Sequence, residues 1–299
     1  MNLIHCKARS TYCALALPLL IGLSGCEDPL KNPQELREPR VLGVRVATLG
    51  DQASLEPGQD ATFDLLLADS AGPVQAQVAF ALCTAASSVR GVPYCEGTAF
   101  ARDSVDLAQG PIVAQLPDSL PSDANLALLG VACLAGEPRL GEAPLDWSCP
   151  GREPPLRFSF EAWPSSAEFT NQNPDLTQLR VQIGGTELPL DERQATPSCG
   201  TEAPEVAAGE THAVEIELGE AARERGNDSA NEPDEALQLS HFSTLGLFER
   251  QYSFVTAEQS PRVTLEWQAP AMREAVKQYL VVRDGRGGVT WVSWSVCAR

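Results

Sequence analysis

From position 41 onward the sequence is cut into short apolar runs that alternate or crowd β-branched residues, each closed by Gly, Pro, Asp or Ser. Such a pattern suits strands, whose side chains point to opposite faces with period two. Val41–Val46, Ala61–Ala68 and Val74–Cys83 are the first candidates. Pro111–Leu116, Leu126–Cys133 and Leu156–Trp163 follow. The second half repeats the logic with Leu179–Ile183, Thr211–Leu218, Ala236–Phe242 and Arg262–Trp267. A final hairpin enters on Gln278–Val282, turns at Arg283–Gly288 and leaves on Val289–Cys297. Short helices fit only Gly219–Arg225 and Met272–Lys277. Many short strands with no long amphipathic helix between them give an all-β chain of two tandem antiparallel β-sandwiches, 41–163 and 164–299.

The N-terminus sets the compartment. Lys7 and Arg9 precede the apolar run Ala14–Leu23, which ends in Leu23-Ser24-Gly25-Cys26. A charged region, a short apolar region and small residues at the end form the layout of a secretory signal. The run is too short to span a bilayer, which takes roughly 20 apolar residues. The Leu-Ser-Gly-Cys tetrad resembles the lipobox of bacterial lipoproteins. That resemblance implies cleavage of 1–25 after Leu23, Ser24 and Gly25, lipidation of Cys26, and attachment to a membrane through the lipid. Glu27 after the cysteine, where inner-membrane retention is associated with Asp, leans the implied address to the outer membrane. Residues 26–40 carry three prolines and mixed charges, and read as a solvated tether with a reach of roughly 40 Å at ~3.1 Å per residue.

Segment 1–25 holds two of the 22 basic residues and none of the 40 acidic ones, so the remainder carries a formal charge of −20. Such a surface repels phosphate backbones, and no nucleic-acid partner is expected. Of nine cysteines, Cys6 and Cys13 lie in the signal and Cys26 in the tetrad. Six remain: Cys83, Cys95, Cys133, Cys149, Cys199 and Cys297. An even number in an exported chain reads as a disulfide framework, with about 15 connectivities open. Sequential pairing is the simplest, because each bridge then falls within one half. The long bridge would contribute ~4–5 kcal/mol in the chain-entropy model. No C-x-x-C pair exists, which disfavours zinc.

Two resemblances go beyond the signal. The end Val281-Val282-Arg283-Asp284-Gly285-Arg286-Gly287-Gly288-Val289 looks like that of an immunoglobulin-like or PKD-like extracellular module. With RVLGVRV at 40–46 and VVRDGRGGVTW at 281–291, the layout also resembles predicted lipoproteins of myxobacteria. These motifs are turn and strand residues, so they imply architecture and address and transfer no catalytic residue.

The search for chemistry assigns no catalytic set, no metal and no cofactor. There is no G-x-S-x-G elbow, and His212 and His241 are the imidazoles outside the signal. Gly285, Gly287 and Gly288 lack the P-loop Lys and read as hairpin glycines. Asn227–Glu235 concentrates oxygen ligands of the kind Ca²⁺ takes, without EF-hand spacing. Trp267 and Trp291 invite sugar stacking, whereas Trp294 shares a face with Val292 and Val296 as core residues do. The expectation is a non-enzymatic interaction or structural module of the cell envelope contacting proteins or glycans. The alternatives are a carbohydrate-binding module using Trp291 or Trp267, and a carboxylate-dependent hydrolase.

Overall fold

The computed structural model describes residues 32–47, 51–87, 93–120, 125–142, 146–151, 154–165, 170–190, 199, 203–224, 235–256 and 258–299. The signal, the cleavage motif and Cys26 lie outside them, as do residues 227–234 of the acidic stretch.

The first half contains β1 (Arg40–Val46), β2 (Asp60–Asp69), β3 (Gly72–Pro73), β4 (Gln77–Ser87) and β5 (Pro93–Cys95). It continues with β6 (Ala101–Asp106), β7 (Ile112–Gln115), β8 (Leu126–Cys133) and β9 (Leu156–Ala162). β1, β2 and β7 make one sheet, extended by β3; β6, β4, β8 and β9 make the other, with β5 on the far end of β4. Between them lies an apolar core that includes Val44, Phe63 and Ile112 from one sheet and Phe80, Leu128 and Phe158 from the other.

The second half contains β10 (Arg180–Ile183), β11 (Thr186–Glu187), β12 (Glu205–Val206), β13 (Thr211–Glu217) and β14 (Leu237–Ser243). Then come β15 (Leu247–Phe248), β16 (Tyr252–Val255), β17 (Arg262–Gln268), β18 (Glu274–Arg283) and β19 (Val289–Ala298). Its sheets run β11-β10-β13-β17-β15 and β12-β19-β18-β14-β16. The pairing is antiparallel except where β12 runs parallel to β19. Exposed and buried residues alternate without a break along β17, which is why its sequence reads so clearly. Trp267 and Trp294 are sealed in this core.

Each half thus sets its first, second and fifth principal strands against a sheet of the remaining four, the Greek-key order of an immunoglobulin-like sandwich. The chain is all-β, with two such sandwiches in tandem. Three disulfides join the cysteines in sequence order: Cys83–Cys95, Cys133–Cys149 and Cys199–Cys297.

Pro33–Arg299 nevertheless form one compact unit, because the sandwiches are glued face to face. Outward-facing Leu42, Leu66 and Ala68 of β1 and β2 meet Tyr279, Val281 and Trp291 of β18 and β19 in a third apolar layer. Arg45 lies over the Trp291 ring at 4.6 Å.

Two expectations need correction. Residues 33–40 are not solvated tether: Leu36 is fully buried in the third layer, and its N–H donates to the Ser243 carbonyl at 2.9 Å. Gln34 completes the bridge around Glu35, its carbonyl accepting from Ser243 N–H at 2.9 Å. Met272–Lys277 is not helical either. Glu274–Lys277 begin β18, where pairing with β19 from Glu274↔Ala298 onward outweighs local helix propensity.

Candidate functional site

The outward face of the β6-β4-β8-β9 sheet is where the molecule departs from a plain sandwich. Ala79, Ala81 and Val131 leave a shallow apolar floor, and Trp147 packs onto it, 1% exposed. The loop carrying Trp147 closes on itself through paired backbone hydrogen bonds between Arg139 and Ser148. Its base is tied to β8 by Cys133–Cys149. Arg102 sits over the indole at 5.3 Å and donates to the carbonyls of Glu142 (3.2 Å) and Gly141, while Arg157 donates to the Trp147 carbonyl at 3.0 Å.

Across the sheet, Cys83–Cys95 ties β5 to β4. Between these two disulfide-bound loops runs an open groove of about 730 Å³, floored by Ala81, Leu129 and Ser159 and walled by Tyr94, Thr98 and Glu142. The lining is mainly apolar, and Tyr94 stands 48% exposed at the rim. A groove of this size with a few polar groups is the usual form of a recognition site. Among its described residues there is no imidazole to activate the Thr98 or Ser159 hydroxyl, and both guanidiniums are engaged with backbone carbonyls.

The residues singled out in the sequence lie elsewhere. His212 bonds through Nε2 to the Ala207 carbonyl at 3.0 Å. His241 is 1% exposed, with Nε2 3.0 Å from Ser253 Oγ. Burial, and then the nearby Arg250 charge, push its pKa down to about 4. This is a serine–imidazole pair, but both partners are buried and neither lines the groove beside Tyr94. Trp267 and Trp294 are core residues, and Trp291 is 9% exposed between the sandwiches. None offers a face for a sugar, so stacking through Trp291 or Trp267 is withdrawn.

The β18–β19 turn is a hairpin, with φ of 78° at Gly285 and 100° at Gly287. It also organises a polar cluster that the sequence did not announce. Asp284 is buried and accepts from the backbone N–H of Arg286 (2.6 Å) and Gly288 (2.9 Å) and from Asn171 Nδ2 (2.7 Å). Arg286 bridges Glu224 at 2.9 Å and Glu235 at 2.6 Å. Desolvation raises the pKa of all three carboxyls. Asn173 spans the halves, donating to Val46 O and accepting from Val289 N–H. The carboxylates converge on an arginine, which supplies the positive charge an ion would otherwise bring. No group of three metal-ligating side chains occurs among the described residues. Asn173 makes the tie between the sandwiches, while Asp284, Arg286, Glu224 and Glu235 order the hairpin within the second half.

No family model and no curated protein matches the chain. Among solved structures it is similar to the D0-D1 domain of Intimin, at 12% identity and a TM-score of 0.22, covering 87% of this chain and 99% of that one. It is also similar to dimeric latent PorU from Porphyromonas gingivalis, at 10% identity and 0.26, and to native alpha-2-macroglobulin of E. coli, at 13% and 0.23. The matched region spans 24% of PorU and 16% of the macroglobulin.

Proposed function

We propose that this protein is a non-enzymatic interaction module of the bacterial cell envelope, held at the outer membrane by lipid on Cys26, with the groove beside Tyr94 as its contact site. The observation that carries the reading is the groove itself. Two disulfides fix its walls before any ligand arrives, which lowers the ordering cost of binding. Its aromatic rim and engaged arginines suit a protein segment or an uncharged glycan better than an anion. The glycan alternative passes from the tryptophans to Tyr94, whose exposed ring stands near Thr98, Ser159 and Glu142.

A photo-crosslinking amino acid in place of Tyr94, in cells that make the full chain, tests this. The expected result is one discrete protein or glycan adduct, absent when the same group replaces exposed Glu187 on β11. Equal, diffuse labelling from both positions would remove the groove from the argument.

A further inference from the structure

The buried His241–Ser253 pair belongs neither to the groove nor to the Asp284–Arg286 cluster, and it sits on a vulnerable element. β16 is four residues long and, among the described residues, pairs with β14 alone at the end of its sheet. Phe254 and Tyr252 project outward from it, 63% and 43% exposed, while Ser253 and Val255 face the core.

Arg250 Nε is a permanent donor and reaches Ser253 Oγ at 3.1 Å. The same oxygen lies 3.0 Å from His241 Nε2. One serine hydroxyl thus stands between a guanidinium and a buried imidazole. A positive charge on the imidazole would face the Arg250 charge across that single neutral oxygen. Arg250 cannot move aside freely, because it also donates to Thr264 O on β17 at 2.6 Å and pairs with Glu249.

We propose that His241 is an acid-sensitive latch: protonating its imidazole releases edge strand β16 from β14. The surroundings offer the imidazolium no relief. Phe248 lies beside the ring at 5.6 Å, and Leu280 is its partner on β18. Lys277, Tyr279 and Arg283 alternate to the opposite face of β18, Tyr252 to the opposite face of β16, and Glu266 points outward from β17. Glu249 is exposed and already paired with Arg250. The depressed pKa of about 4, set by burial first and Arg250 second, agrees with this arrangement. The sign follows: the folded state favours neutral His241, so there is no penalty above the ordinary value of 6.5, and the penalty grows as pH falls toward 4. The opening equilibrium of β16 should therefore rise roughly 20-fold between pH 7 and pH 5.

Hydrogen exchange of the full chain, corrected for the intrinsic pH dependence of the amides, reads this directly. The peptide spanning 250–256 should open roughly 20-fold more at pH 5 than at pH 7, while a 211–217 peptide from β13 should not. His241→Gln should abolish the difference. A wild-type peptide that opens equally at both values, or a variant that keeps the dependence, overturns the latch. If the variant does not fold, an NMR titration of wild-type His241 decides: a midpoint near 4 supports the latch, and one above 6 overturns it.

Discussion

Gly130 is the position where one methyl group tests the packing of the first sandwich. It lies on β8 between Phe80 of β4 and Phe158 of β9, and the Phe158 ring crosses directly over it. A Cβ built there would stand 2.2 Å from Phe158 Cζ and 2.6 Å from the Ala79 carbonyl oxygen. The ring can tilt, but the carbonyl belongs to the β4 backbone and moves only if the ladder moves. Overpacking of this kind costs about 1–3 kcal/mol, and the backbone clash puts Gly130→Ala at the upper end. Lower entropy in the unfolded chain returns about 0.5–1 kcal/mol. The net expectation is a loss of about 2 kcal/mol in urea unfolding of the oxidised protein. Because part of the clash is the ring, the same substitution made in a Phe158→Leu background should cost about 1 kcal/mol less. A Gly130→Ala protein within about 0.5 kcal/mol of the parent would refute the steric account. Strict additivity with Phe158→Leu would refute the role of the ring.

Three further outcomes follow from the same geometry. Trp291→Ala removes the largest side chain of the layer between the sandwiches together with its contact to Arg45, and should lower stability by about 3–5 kcal/mol by denaturant titration. Replacing Cys133 and Cys149 together by Ser releases a loop closed over 16 residues, worth about 3 kcal/mol in the chain-entropy model, and should also expose Trp147 to a soluble fluorescence quencher; an unchanged quenching profile would show that the bridge does not hold the loop down. Cys26→Ser should shift the protein from the membrane to the soluble fraction of lysed cells, and unchanged sedimentation with membranes would contradict the lipid anchor.

Much of the fold was legible because its strands obey period two. Leu126–Cys133 was read with the limits it has, and the alternation of Arg262–Trp267 reappears residue by residue in β17. Strands whose faces see similar environments left no such trace. β6, Ala-Arg-Asp-Ser-Val-Asp, is an edge strand with none of its side chains buried, and it reads as loop. β16 is too short for an alternation to register. The site was harder still. Trp147 showed no pattern, because its partners are alanines 66–68 positions earlier in the chain and a valine on β8. The tryptophans that looked available for sugar are buried, since a residue's position along a strand gives its face but not what lies against that face. The proline-rich character of 33–40 suggested solvent, and only the depth of Leu36 reveals a packed segment.

The distribution of sheet faces supports the proposal that the groove is the contact site. Two sandwiches present four outward faces. One from each is spent on the layer holding Leu42, Leu66, Tyr279 and Trp291. The outward face of β13 and β17 carries Glu215, Glu217, Arg262, Thr264 and Glu266, a charged surface typical of a face left to water. That leaves the outer face of β4, β8 and β9. Among the described residues its apolar floor is covered by the segment carrying Trp147, which the Cys133–Cys149 bridge and the two arginines hold in place. Trp147 seals Ala79 and Ala81, while Leu129 beside them remains half-buried. Covering it would contribute about 0.8 kcal/mol per buried methylene. A second disulfide fixes the opposite wall, so the groove lies between two covalently tied segments, the arrangement on which the proposed contact site rests.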